Sequence, residues 1–461
     1  MDAQKRLLEG PIAGALFHLA LPLMGIAFIE MTYGLVDTLW LGRLSTEAVS
    51  AVGAVHLFIW LAFSMVLISK TGLIVAVSQA LGAQRREEAQ RSMAAAYQVA
   101  LFFATIMFIA FVFFSDELLS FYGLSPEVHK GASSYMRTIG VGMFFQFFLP
   151  VSSGVFVAQG DSRTSFRISG MGMVLNMILD PFFIFGWGPF PRLEVQGAAM
   201  ATMLTMGLEA FLYFWTLYRH NSLFRTTNFL HISWSHIGDI FRLGIPACLQ
   251  SMVHAVVGII LNRYIASFSS LYIAVYSVGA QIESVSWMSA EGFASAVSTF
   301  TGQNYGAKGY ERIPAGFKVA MKIMSGITIT AALVFFFKGE SLYKLFVGSD
   351  METVVRGGMY LKIISLSQFF MALETITSGI LNGLGLTKYP SGVAAVFNVL
   401  RIPIARGLMV PLGITGIWWA ISLSSIFKGL GIFLAYKILK GKTDGFRVNM
   451  DKYVQRSQKL A

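Results

Sequence analysis

The chain has 461 residues, of which 55% are apolar and only 13% are charged. A soluble domain carries about a quarter charged residues, so this composition excludes water as the only solvent. The net charge of +11 does not indicate a nucleic-acid partner, because most of the basic residues lie in the connections between apolar segments and not on one face with aromatic neighbours. The single cysteine, Cys248, excludes an intrachain disulfide and a multi-cysteine metal site.

Apolar stretches of about 20 residues, the length at which a helix crosses a bilayer, recur along the whole sequence. We therefore predict an all-α polytopic membrane protein with twelve transmembrane helices. In chain order the predicted spans are 11–40, 52–81, 92–114, 132–158, 165–187, 196–218, 239–266, 273–302, 313–337, 355–383, 389–410 and 414–438. The first continues from Pro11 past Trp40 and is predicted to be a retained span and not a cleaved signal peptide.

The longest polar connection between spans divides the chain into two halves. We predict an N-terminal six-helix lobe at 1–218, a cytoplasmic linker at 219–238, a C-terminal six-helix lobe at 239–438 and a basic cytoplasmic tail at 439–461. Most of the 35 Lys and Arg lie on the side that holds both termini. The positive-inside rule therefore places both termini in the cytoplasm and the protein in the plasma (inner) membrane.

Short motifs of the first half recur in the second half in the same order, which indicates two pseudo-symmetric bundles. The matching pairs are Leu19–Pro22 with Leu243–Pro246, Ala48–Gly53 with Ala274–Gly279, Gln79–Ala83 with Gln303–Ala307, Gly154–Gly160 with Gly379–Gly385, and Gly197–Ala201 with Gly416–Ala420. Transporters built from such parallel repeats bind substrate near the bilayer midplane, between the halves.

These motifs together resemble the multidrug and toxic compound extrusion (MATE) family over nearly the whole chain. The residues that carry the resemblance are Pro22 with Met31–Gly42, Ala51–Gly53, Gly82–Arg86, Gly154 with Gln159–Ser162, Asn176 with Asp180–Pro181, and Gly197–Thr202. The sequence looks closest to the DinF-like branch. The resemblance implies a MATE-like fold, a monomer, and ion coupling by paired aspartates of the N-terminal half.

Two carboxylates inside predicted spans are the main candidates for ion coupling. An ionisable group at the bilayer centre costs at least ~2.5–3.5 kcal/mol, so each needs a partner or a purpose. Asp37 and Asp180 lie mid-span, and Tyr33 and Asn176 precede them by one turn. Two carboxylates in one apolar site repel each other, so the pair can hold a proton near neutral pH. Tyr33, Asn176 and Thr202 can donate hydrogen bonds to the ionised form.

The resemblance implies that these residues line a cavity of the N-terminal lobe, with H+ as the coupling ion and Na+ as the alternative at the two aspartates. The alternative role for Asp180 is to hold the bend at Pro181.

The C-terminal half offers Glu283, Glu374 and His254 as further candidates. In the sodium-coupled NorM-like branch, acidic residues occupy the positions at which this chain has His254 and Met371. This difference favours H+ over Na+ as the coupling ion. The structural alternative for the two glutamates is pairing with lysines inside the spans, which are Lys70, Lys322 and Lys428.

Substrate contacts are expected from flexible and aromatic side chains, because thioether and ring surfaces suit promiscuous cavities. The resemblance implies an aromatic-lined cavity, for which the candidates are Met31, Phe144, Phe145 and Phe148. Packing in the core or against lipid is the alternative for each of them. For Glu30 and Glu209 the sequence leaves two roles open, which are packing between helices and contribution of a polar group to the cavity.

No phosphate loop, His-Glu-x-x-His zinc motif or Gly-x-Ser-x-Gly nucleophile motif occurs in the sequence. We therefore predict no enzyme, no cofactor and no resident metal, and an ion gradient as the driving force. The predicted function is a proton-coupled antiporter that exports amphipathic, often cationic compounds by alternating access. The alternatives are a sodium-coupled exporter and a flippase for lipid-linked precursors. A flippase needs clustered Arg, whereas Arg401 and Arg406 lie near the end of the span at 389–410.

Overall fold

The computed structural model describes residues 3–348, 350–442 and 446, and within them the chain is helical with no strand. The helices are α1 (Ala3–Glu9), α2 (Ile12–Leu44), α3 (Thr46–Gly82), α4 (Arg86–Phe113), α5 (Ser115–Ser120), α6 (Pro126–Ala158), α7 (Ser162–Phe185), α8 (Glu194–His220), α9 (Ser222–Arg225), α10 (Trp234–Ala266), α11 (Ser270–Gly306), α12 (Arg312–Val347), α13 (Met351–Ser365), α14 (Gln368–Gly383), α15 (Lys388–Leu412) and α16 (Ile414–Lys442).

Most of these helices are long and apolar enough to cross a membrane. Among the described residues they are α2, α3, α4, α6, α7, α8, α10, α12, α15 and α16. The pair α13 and α14 forms one further span, bent by 49° at a short break. α11 has 37 residues, which is long enough to span, but it lacks a continuous stretch as apolar as those of the ten helices. Each predicted span corresponds to one of these helices or to the bent pair, and the predicted α-helical membrane architecture is confirmed.

Turn residues that separate the predicted spans also fix the ends of the helices. The side chain of Asp161 caps α7 by accepting a hydrogen bond from the backbone N–H of Thr164 at 3.2 Å, which satisfies one of the free donors of the first turn. At the other end of α7, Gly186 adopts φ 72°, a left-handed conformation that glycine takes without a steric penalty. The ends of α7 are therefore determined locally by the sequence.

Glycines at matching positions of the internal repeat allow two helical hairpins to close tightly. A Cβ on Gly197 of α8 would lie 2.3 Å from the carbonyl oxygen of Phe183 in α7. A Cβ on Gly416 of α16 would lie 2.2 Å from the carbonyl oxygen of Leu408 in α15. Only a residue without a side chain fits such an approach of two backbones. The recurrence of this glycine in the sequence thus has the same physical cause in both halves.

The chain divides into two compact units. The N unit comprises Leu21–Leu81 and Arg85–Cys248; the C unit comprises the described parts of Met1–Ala20, Gly82–Gln84 and Leu249–Ala461. The predicted lobe and linker boundaries stay a prediction. Apart from residues 439–442 and Phe446, the predicted basic tail at 439–461 lies outside the described residues.

Candidate functional site

The first helix pair of the site, α2 and α7, packs through glycines of the N unit. A Cβ on Gly25 would lie 2.6 Å from the ring of Phe166, and a Cβ on Gly170 would lie 3.3 Å from Ile29. Both contacts advance in the same direction along the two helices, so α2 and α7 run parallel. Continuing the same register places Asp37 within one turn of the level of Asp180.

The second pair, α7 and α8, runs antiparallel. Glu209 of α8 packs directly on Gly172 of α7, where a Cβ would overlap the glutamate side chain at 1.9 Å. One turn further along α7, the Asn176 amide lies 3.3 Å from the hydroxyl of Thr205. The polar residues of α8, which recur at intervals of three and four, therefore face those of α7.

Hydrogen bonds join all three helices at one point. The Tyr33 hydroxyl of α2 lies 3.1 Å from the Thr202 hydroxyl of α8. When its amide is rotated by 180°, Asn176 donates to Asp180 Oδ2 at 3.3 Å and accepts from the backbone N–H of Thr202 at 3.1 Å. This orientation satisfies both ends of the amide. The predicted residues Tyr33, Asn176, Asp180 and Thr202 thus form one connected network.

The two aspartates leave buried oxygen atoms without a donor. Asp180 is completely buried, and Asp37 is half-buried. Within the described part of the chain, Oδ1 of each carboxylate makes no hydrogen bond. Their charges act on each other and on the hydroxyl of Tyr135. A buried polar atom left unpaired costs about 1–3 kcal/mol, and more when it is charged, so this pair is suited to bind a proton or another cation.

Further acids extend the negative charge of this site. Glu30 lies on the same face of α2 as Tyr33 and Asp37, at intervals of three and seven residues. The charge of Glu30 acts on Glu209, which is buried, and Glu30 itself interacts with Lys70 of α3. The shared helix face was visible in the sequence. The proximity of Glu30 on α2 to Glu209 on α8 could not be predicted from the sequence.

The glutamates of the C unit are held in separate interactions. Glu374 of α14 forms an ion pair with Lys428 of α16 at 3.0 Å, and both side chains are largely buried. Glu283 of α11 accepts hydrogen bonds from the Tyr360 hydroxyl at 3.3 Å and from the Gln368 amide at 3.4 Å. Pairing with a lysine, which the sequence left open for both, is therefore found for Glu374 and not for Glu283.

A buried arginine lies close to these acids. Arg401 is only 8% exposed, and its Nε donates to the Ser424 hydroxyl at 2.7 Å. The prediction that it lies near the end of its span is wrong, because α15 runs from Lys388 to Leu412 without ending at Pro403. Arg401 thus lies in the middle of the span. His254 of α10 is within electrostatic reach of this guanidinium.

Comparison with models of known protein families shows to which family the chain belongs. The MatE family model matches residues 22–182 and again 246–406. The chain belongs to the MATE family. Both matched segments begin at a proline of the internal repeat, Pro22 and Pro246.

Named relatives of this MATE protein are membrane transporters. It is 28% identical over 419 residues to the "Probable multidrug resistance protein NorM" of Thermotoga maritima, covering 90% of this chain and 89% of that one. It is 24% identical over 455 residues to the "FAD transporter" of Shewanella oneidensis, covering 95% and 97%. The solved "Crystal structure of MATE in the straight conformation" matches with a TM-score of 0.89 at 22% identity, over 95% of this chain and 98% of that one. The MATE-like fold and a multi-pass membrane protein are thus established, while the DinF-like branch stays a prediction.

The aromatic residues predicted to contact substrate in this MATE protein do not share one surface. Phe144 and Phe148 of α6 contact rings of α4, with centroid distances of 5.4 and 5.9 Å. Phe145 points to α8, where it lies 3.4 Å from the Cβ position of Gly207. Met31 is half-buried on α2. Their roles as substrate contacts stay a prediction.

Proposed function

We propose that this MATE protein is a proton-coupled antiporter that exports amphipathic, often cationic organic compounds by alternating access. We place it in the plasma (inner) membrane as a monomer with both termini in the cytoplasm. The observation that supports this proposal best is the pair Asp37 and Asp180, in which each carboxylate retains one buried oxygen without a donor among the described residues.

The polar network explains how a proton would act on this pair. With both aspartates ionised, the site holds two negative charges in an apolar surrounding, and a proton or an organic cation lowers their repulsion. Asn176 fixes one oxygen of Asp180, and Tyr33 ties α2 to α8 through Thr202. Proton binding is thereby linked to the positions of three helices. A ligand shifts such an equilibrium only by its differential affinity for the two states.

The charge of the N unit supports a cationic substrate. Glu30 and Glu209 add to the negative charge of Asp37 and Asp180, and Glu30 interacts with one basic group, Lys70. Proton entry supplies the energy, since one elementary charge that crosses 100 mV yields about 2.3 kcal/mol. Carboxylate, amide and hydroxyl oxygens are also suitable ligands for Na+, which is therefore the alternative coupling ion.

Relatives named for multidrug resistance support a broad set of exported compounds. The relative named FAD transporter supports a second candidate, export of an anionic amphipathic compound such as a nucleotide cofactor. The buried Arg401 favours this second function. A flippase for lipid-linked precursors is less favoured, because Arg406 is exposed and does not join Arg401 in a cluster.

Reconstituted protein tests the proposal. Proteoliposomes loaded with a fluorescent organic cation receive either a proton gradient or a sodium gradient, and efflux and binding are measured for wild type, Asp37→Asn and Asp180→Asn. Asn is nearly isosteric with Asp but cannot release a proton. We expect Asp37→Asn to bind substrate yet to export at less than about a tenth of the wild-type rate, which corresponds to a rise of at least about 1.4 kcal/mol in the activation free energy of transport.

The matched control is Glu117→Gln, which removes an acid from the exposed surface of α5 and should leave transport unchanged. Wild-type efflux by well-expressed Asp37→Asn would exclude the aspartate pair as the coupling site. Efflux driven by the sodium gradient and not by the proton gradient would assign the coupling ion to Na+.

A further inference from the structure

Arg401 lies inside the C unit, and no described carboxylate forms an ion pair with it. Besides the bond from Nε to Ser424, its Nη2 donates to the Ser425 hydroxyl at 3.4 Å. In the described part of the chain no carboxylate oxygen comes within 4.0 Å of this guanidinium. Serine hydroxyls satisfy hydrogen bonds but do not neutralise charge. A buried cation that has only neutral acceptors retains a strong preference for an anion.

The nearby acids are committed elsewhere. Glu374 is paired with Lys428 at 3.0 Å. The two oxygens of Glu283 accept hydrogen bonds from Tyr360 and Gln368. Both acids act on Arg401 through their charge only, at distances longer than an ion pair. Neither glutamate therefore forms an ion pair with the Arg401 guanidinium.

Part of the guanidinium is open to a ligand. Nη1 makes no hydrogen bond to another described residue, and it is not among the fully enclosed polar atoms. His254 of α10 interacts electrostatically with both Arg401 and Lys428. Lys428 already has its counter-ion in Glu374, whereas no described carboxylate pairs with Arg401. The charge of Arg401 therefore favours a negatively charged ligand.

We propose that Arg401 binds the anionic group, a carboxylate or a phosphate, of an amphipathic substrate, with His254 beside it. Arginine suits this role because its planar guanidinium pairs with both oxygens of such a group. Ser424 and Ser425 act as positioning residues that hold the guanidinium. The inference rests on the proposed export function and specifies its substrate class as compounds with a negatively charged group, zwitterions included.

A pair of dyes with the same ring system tests this assignment. Rhodamine 6G is an ethyl ester with a net positive charge, and its free acid, rhodamine 19, adds one carboxylate. Equilibrium binding of both to the purified full-length protein is measured by fluorescence polarisation in an uncharged detergent. We expect Arg401→Gln to weaken binding of the acid by about tenfold, the effect of losing a charge-assisted hydrogen bond, and to leave the ester unchanged.

Two further variants separate charge from folding. Arg401→Lys keeps the charge but not the planar fork, and should lose only part of the affinity for the acid. Arg406→Gln removes an exposed arginine from the same helix and should change neither dye. If Arg401→Gln fails to fold, Arg401→Lys provides the test. The proposal is overturned if Arg401→Lys binds the acid as tightly as the wild type does, or if it loses the same affinity for both dyes.

Three further results would overturn the anion site. Unchanged binding of the acid by folded Arg401→Gln overturns the anion site and leaves export of cations intact. Displacement of the acid by phosphatidylglycerol, but not by an equal amount of phosphatidylcholine, would assign the guanidinium to lipid and overturn the substrate assignment. Failure of the wild type to bind either dye would count against the proposed export function itself, and against the anion site with it.

Discussion

Alanine at position 197 tests the packing that aligns the polar residues of α7 and α8. The new Cβ would lie 2.3 Å from the carbonyl oxygen of Phe183 and 2.5 Å from its carbon, whereas ordinary van der Waals contact begins at 3.4 Å. The obstructing atoms are backbone, so no side chain can rotate away. The two helices must therefore separate locally by roughly 1 Å.

The magnitude follows from two opposing effects. Overpacking of a close contact costs about 1–3 kcal/mol, and the rigid backbone places Gly197→Ala at the upper end of that range. Alanine regains about 1 kcal/mol through its better helix propensity. We expect a net loss of roughly 1–2 kcal/mol in stability. A shift of about 1 Å would also break the contact between Asn176 and Thr202, and such a displacement at a functional site can cost about a hundredfold in rate.

The assay combines thermal stability in detergent, followed by fluorescence-detected size exclusion, with proton-driven efflux in proteoliposomes. Gly207→Ala is the matched control on the same helix, because its Cβ would meet the Phe145 ring at 3.4 Å, an ordinary contact. Gly416→Ala, the counterpart in the repeat, should destabilise the protein to a similar extent. Equal stability and equal efflux of Gly197→Ala and Gly207→Ala would refute the argument.

Glu374→Gln should lower stability by about 3–5 kcal/mol, because it leaves Lys428 buried without its partner, yet retain part of the transport; adding Lys428→Met should restore the melting temperature. If Glu374→Gln lost transport as completely as Asp37→Asn does, the coupling site would be assigned to the C unit. Tyr33→Phe should reduce proton-driven efflux about fivefold, through loss of one hydrogen bond of about 1 kcal/mol to α8; unchanged efflux would exclude this hydroxyl. Cysteine at Phe190 should react with an impermeant thiol reagent outside intact cells and cysteine at Asn228 should not, and equal labelling would overturn the twelve-span topology.

The sequence alone determined the spans and several local features of the fold. A transmembrane helix satisfies its own backbone hydrogen bonds, so the apolar stretches fixed where each one runs without knowledge of its neighbours. Helix ends such as Asp161 and Gly186 followed from cap chemistry within a few residues. The order of motifs identified the family, and periodicity placed Tyr33 and Asp37 on one helix face.

Tertiary structure alone decided which side chains meet. Hydropathy gives a residue's depth along its helix, but not the neighbour towards which it is rotated. The sequence therefore could not determine that Glu209 faces Gly172, or that Glu374 pairs with Lys428 whereas Glu283 does not. Arg401 is the clearest case. Its lack of a carboxylate partner among the described residues depends on how α14 and α16 pack against α15. The surroundings of a buried charge are set by the side chains of neighbouring helices and not by its own position in the chain.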